Sequence, residues 1–161
     1  MPLLCATRFN KDTMDEFYRW IETYDKEFHV YNTPVKISEK ILPNSTLLVL
    51  EMNNSTNKLE GIGLIKNKCK VNSNKENKIY SDRNYNRYSY KIYYRIRRSD
   101  LQPSEEKIFQ TLDTLLFKGY KHFKRGHGIQ KLPQWLNTEQ TMNYTNFCST
   151  LFKTYFIELQ E

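Results

Sequence analysis

The chain has 161 residues, a formal net charge of +7, 39% hydrophobic and 14% aromatic residues. That apolar and aromatic content excludes a disordered chain, and the length suits one domain with its own core. Three widely spaced cysteines, Cys5, Cys69 and Cys148, form no CxxC pair, which excludes a disulfide scaffold and points to free thiols in a reducing compartment.

The opening MPLLCATRFNKD lacks a basic n-region and a sustained apolar run, so no secretory signal is expected. No segment reaches the roughly 18 apolar residues of a membrane span. An intracellular protein with no membrane partner is the expectation. Leu3 to Phe9 reads as a short, mostly buried strand. A helix follows, with Asp12 or Thr13 as its cap and Thr13-x-x-Glu16 as a capping box. Met14, Phe17, Ile21, Tyr24 and Phe28 recur at helical spacing and give that helix its apolar stripe, with Trp20 at its margin.

Pro34 and Pro43 bracket a connector. Thr46 to Met52 is a strand rich in branched residues, and Leu59 to Asn67 (LEGIGLIKN) returns as the second arm of a hairpin. Gly61 and Gly63 face one side of that arm, where a bend or a close neighbour gives glycine a reason. Residues 70–87 are polar and read as a mobile loop. Tyr88 to Arg98 (YSYKIYYRIRR) is a strand by alternation, with Tyr88, Tyr90, Ile92, Tyr94 and Ile96 on one face. Ser89, Lys91, Tyr93, Arg95 and Arg97 fall on the other, cationic face.

Ser104 caps the next helix, Glu105 and Glu106 suit its positive end, and Gly119 can terminate it in the left-handed conformation. The loop FKRGHGIQKLP leads to a short strand near Gly128 to Leu132, and a last helix begins at about Asn137. The order of elements predicts an α+β fold: a small, mostly antiparallel, partly closed β-barrel with peripheral helices, as a single domain.

The charge is polarised along the chain. Residues 66–131 hold 17 Lys/Arg against 6 Asp/Glu, and the remainder holds 8 against 12. A basic middle of this kind predicts an anionic partner, with nucleic acid the commonest. No GxSxG, HExxH, GxxxxGKS or GxGxxG is present, and no metal or cofactor is expected. His122 and His127 lack a metal-ligand spacing, and a pairing of His127 with Glu51 or Glu60 has no motif behind it.

Binding has more support than catalysis. Lys91, Arg95 and Arg97 share a strand face with Tyr93, while Lys121, Lys124, Arg125 and Lys131 gather around the glycine loop. Backbone amides at Gly126 and Gly128 can approach a phosphate closely. Cations interleaved with rings suit single strands or flipped bases, and Trp135 is read either as a stacking ring or as packing under the last helix.

The strand ending ATRFN, the helix, the proline connector, the strand TLLVLEM and the Gly-x-Gly strand LEGIGLIKN together resemble the PUA-like superfamily. The EVE, YTH and ASCH branches are the nearest comparison. The resemblance covers most of the chain in order, and the layout of YKIYYRIRR with FKRGHGIQKLP is similar too. It implies a small barrel that binds RNA or DNA, with a modified base held in an aromatic pocket. It also implies that Arg8, Phe9 and Asn10 edge that pocket, Asn10 hydrogen-bonding a base edge. Two other readings stay open: an ASCH-like hydrolase acting on nucleic acid or a nucleotide, and a viral-type structural protein whose aromatic surface meets a protein partner.

Overall fold

The computed structural model describes residues 2–24, 28–71 and 77–160 of the chain. Strands β1 (Leu3–Phe9), β2 (His29–Thr33), β3 (Thr46–Asn53), β4 (Lys58–Val71), β5 (Tyr88–Arg97) and β6 (Gln130–Lys131) form one sheet in the order β2-β5-β4-β3-β1-β6. β1 runs parallel to β3, and the other pairings are antiparallel. The architecture is α+β, and the sheet is a strongly curled half-barrel, open rather than closed. No helix among the described residues is long and apolar enough to cross a membrane.

Both faces of the sheet are covered. The outer face carries Leu4, Ala6, Leu48, Leu50 and Met52 against Phe109, Leu112 and Leu116 of α2 (Pro103–Phe117) and Cys148, Leu151 and Phe152 of α4 (Tyr144–Tyr155). On the concave face, α1 (Lys11–Thr23) sets Met14, Phe17 and Trp20 over Cys5, Phe9, Leu47, Val49 and Ile65. Each fully buried aliphatic or aromatic side chain of this kind contributes about 1.5–3 kcal/mol.

Polar groups also lie inside the curl. Tyr31 of β2 reaches over β5 and β4 to donate to Glu51 of β3 at 2.5 Å. Its ring lies against Gly63, where a Cβ would come within 2.9 Å of two ring carbons. Gly61 is equally crowded, 2.7 Å from the Ile96 carbonyl by the same construction. The Gly-x-Gly pair is therefore a close-approach feature: it lets a tyrosine and an ion pair cross the floor of the half-barrel.

Bulges break the simple alternation. Glu51 faces Gly61 but Met52 faces Leu59, so Glu60 is the extra residue in β4. Leu64 faces Tyr94 but Ile65 faces Ile92, so Tyr93 is extra in β5. Each extra residue turns the rest of its strand over. Tyr90 and Ile92 thus pack in the concave core while Tyr94 and Ile96 pack in the outer one, against the single-face reading of YSYKIYYRIRR.

Other expectations shift at their ends. Asn10, not Asp12 or Thr13, caps α1: its Oδ1 accepts from the Thr13 amide at 2.9 Å, and Thr13 Oγ1 accepts from the Asn10 amide at 3.0 Å. The helix stops at Thr23, and His29–Thr33 becomes a strand that the helical reading of Phe28 obscured. Pro103 opens α2 with Gln102, rather than Ser104, as its cap, and Gly119 at φ +80° follows its end as expected. The final helix is split into α3 (Trp135–Thr138) and α4. Within the 70–87 segment, Lys70 and Val71 complete β4, and residues 72–76 lie outside the described residues.

Candidate functional site at the open seam

A half-barrel leaves a gap between its edge strands, and here side chains and turns approach across it. The turn before β6 meets the chain leaving β2: a Cβ on Gly128 would lie 2.8 Å from Val35 Cγ2 and 3.8 Å from Thr33 Cβ. Beside this contact is a cleft of about 210 Å³. Its wall is built from the end of β1 (Thr7 to Asn10), the end of β2 (Thr33, Pro34), Asn54, Tyr80, Tyr85 and the Gly126–Gly128 turn. Pockets for drug-sized ligands run to roughly 300–1,000 Å³, so this one suits part of a ligand: a base, or a phosphate with part of what it is attached to.

Arg8 organises the cleft. Its Nε donates to the Phe123 carbonyl at 3.0 Å, its Nη1 donates to Gln130 Oε1 at 2.6 Å, and its guanidinium lies 4.3 Å from the Phe123 ring centroid. Nη2 is buried without a hydrogen-bond partner, and so is Oδ1 of Asn54 in the same wall. Among the described residues no Asp or Glu lines the cleft. With burial unopposed by any carboxylate, the Arg8 pKa is pushed down to about 10.

The loop above Arg8 is held from below. Asn54 Nδ2 donates to the Lys124 carbonyl at 2.9 Å, and the Asn54 amide is tied to the Phe9 carbonyl at 2.7 Å. Gly126 and Gly128 adopt φ of +125° and +71°, a conformation that other residues enter only with strain. The amides of Gly126, His127 and Gly128 make no hydrogen bond to the described residues. Gly126 and His127 are exposed, so these amides are open to water or to an anion.

The aromatic wall comes from residues 77–87. Asn86 Oδ1 accepts from the amides of Ile79 and Tyr80 at 3.2 and 3.1 Å and from Asn32 Nδ2 at 3.0 Å, while its Nδ2 donates to the Tyr80 carbonyl at 2.6 Å. The segment is thereby moulded around one asparagine. Tyr80 is buried, and Tyr85 meets it edge-on at 6.2 Å.

Of the residues singled out in the sequence, Arg8, Phe9, Asn10, Gly126, His127 and Gly128 line this cleft, and Lys124 and Arg125 belong to the same loop. The others are elsewhere. Lys91 and Tyr93 share a shallow depression with Phe28, with the Lys91 Nζ 4.7 and 4.9 Å from the Tyr93 and Phe28 centroids. Arg97 pairs with Asp100 at 3.1 Å, and Lys121 pairs with Glu139 at 3.0 Å while lying over Trp135. Trp135 packs against the outer core, and Lys131 is exposed on β6 opposite Cys5.

Arg95 is turned inward. It binds Glu51 with two 2.7 Å bonds, its side chain is 12% exposed, and Glu51 is fully buried. The Tyr93 bulge is the cause, since it carries Arg95 onto the concave face with Tyr31 and Glu51. Glu60 in turn accepts from Tyr18 at 2.9 Å and Asn53 at 2.8 Å. Neither Glu51 nor Glu60 lines the cleft in which His127 lies.

Sequence reasoning placed Arg8 and Phe9 at a pocket through the family resemblance, and had no signal for Asn54, Tyr80 or Tyr85. Their positions follow from contacts such as Asn32 to Asn86, 54 residues apart. Set against known proteins, the chain matches no family model, no curated protein and no solved structure.

Proposed function

We propose that the chain is a non-enzymatic, PUA-like nucleic-acid-binding domain that takes one flipped or modified base into the seam cleft. The observation that carries this reading is the pairing, in one small cleft, of an arginine without a carboxylate and a tyrosine wall. A nucleotide has the matching parts, a flat ring and a charged group. Tyr85 offers its exposed ring to the base with Tyr80 packed edge-on behind it, Asn10 meets the base edge, and Lys124 and Arg125 of the neighbouring loop neutralise the strand. The place the family resemblance assigns to Arg8, Phe9 and Asn10 agrees with this arrangement.

The test is fluorescence anisotropy with labelled single- and double-stranded RNA and DNA, plain and methylated, at two salt concentrations. Salt-sensitive binding is expected. Reversing both Lys124 and Arg125 to Glu should weaken it at least tenfold for every sequence and flatten the salt slope by about 2. Absence of binding at low salt would reject the reading, and unchanged affinity in the double variant would remove the loop from it.

A further inference from the structure

Arg8 differs from the other enclosed arginines in what it lacks. Arg95 is held by Glu51, and Arg98 is held by Glu106 and Asp113, each at 2.8 Å. Arg8 is gripped by a carbonyl, a ring and the neutral amide oxygen of Gln130, and its Nη2 has nothing. A half-buried charge without a counter-charge is unfavourable. The surroundings compound it, since among the described residues no acidic side chain lines the cleft and the amides of the nearby turn make no hydrogen bond.

We infer that Arg8 and the Gly126–Gly128 turn form a binding site for a phosphate group, supplied by the terminal phosphate of a strand or by a free phosphorylated metabolite. A guanidinium with several backbone amides around it offers more donors than a carboxylate's two oxygens can use, and a tetrahedral oxyanion can use them. Gln130 Oε1 marks the place of one oxygen: it lies 2.6 Å from Nη1, is uncharged, and belongs to an exposed side chain. An incoming phosphate oxygen takes over that bond and brings the missing charge. The cleft volume of about 210 Å³ leaves room for the group and part of what it is attached to.

This inference deepens the nucleic-acid reading yet stands on Arg8 and its turn and not on the tyrosine wall, so the two can fail separately. The decisive variant is Gln130→Glu, which keeps the side-chain shape and gives Arg8 an internal carboxylate. Wild-type protein and variant are titrated by calorimetry with inorganic phosphate, and with a short oligonucleotide carrying either a 5′-phosphate or a 5′-hydroxyl. Melting curves are recorded alongside.

Wild type is expected to bind inorganic phosphate and to prefer the phosphorylated oligonucleotide by about tenfold. The Gln130→Glu protein is expected to melt at or above the wild-type temperature and to lose about tenfold or more in phosphate affinity. Gln130→Ala, which removes the stand-in oxygen without adding charge, should keep phosphate binding. Phosphate binding without any oligonucleotide binding would assign the site to a metabolite and reject the nucleic-acid reading. Oligonucleotide binding indifferent to the phosphate, with no binding of inorganic phosphate, would overturn the inference and leave that reading standing. Equal phosphate affinity in wild type and Gln130→Glu would overturn it as well.

Discussion

Glu51 lies where water does not reach, and the neighbours that satisfy it come from two other strands. Arg95 supplies two bonds from β5 and Tyr31 a third from β2. Breaking such a pair leaves the partner charge stranded, which is worse than never having had the pair. Glu51→Gln is therefore expected to lower stability by about 3 kcal/mol, read from urea unfolding at neutral pH. A loss under about 1 kcal/mol, the size of an exposed pair, would show that Arg95 reaches solvent when Glu51 is neutral. At this scale the sequence was a partial guide. It marked Gly126 and Gly128 because turn glycines act locally, and reached Asn10 only through the family resemblance, having looked for the helix cap at Asp12 or Thr13. It took Arg95 for a surface cation because nothing within a few residues of it announces Glu51.

Strand alternation is a reliable signal while the register is unbroken, and β4 and β5 break it. The Tyr93 bulge is why one strand feeds two cores, and no residue type in YSYKIYYRIRR betrays it. β2 was missed for a different reason: its five residues are too few to outweigh the helical spacing that runs from Met14 to Phe28. The glycines of β4 were legible as a bend or a close approach, and at Gly63 the structure has the close approach, by Tyr31. Gly63→Ala would push a methyl into that ring, and the expected loss is about 2 kcal/mol, measured by the same unfolding titration. The tyrosine cannot retreat without releasing Glu51, so the loss should shrink when Gly63→Ala is placed on a Tyr31→Leu background. Strict additivity of the two changes would contradict the contact.

For the whole molecule, the charge imbalance of residues 66–131 pointed to an anionic partner, and the fold refines where such a partner could meet it. Arg95 and Arg98 are spent on internal carboxylates, and Arg97 and Lys121 on exposed ones. Lys124 and Arg125 carry no ion pair among the described residues and precede the turn that lines the cleft. The α+β class and the mostly antiparallel sheet were readable from the order of elements. The closure was not, because it depends on how far one end of the sheet bends toward the other, and that is decided by bulges and by Tyr31 reaching across the floor.

The seam joins β2 and β6 through Gly128 and Val35 rather than through a ladder, and β6 itself is two residues long. Parting those edges breaks no strand pairing, so it is a small fluctuation compared with unfolding the centre of the sheet. In deuterated buffer the amides of β6 and of the Gly126–Gly128 turn should exchange far sooner than those of β3, which is hydrogen-bonded on both sides. Arg8 of β1 and the turn before β6 both stand on one side of that gap, and Thr33 and Pro34 at the end of β2 stand on the other. A ligand held by the first side that also touches the second would fasten the two, and its arrival should slow exchange at β6 and at the end of β2 together while β3 stays as it was. A ligand confined to Arg8 and the turn should slow exchange at β6 alone.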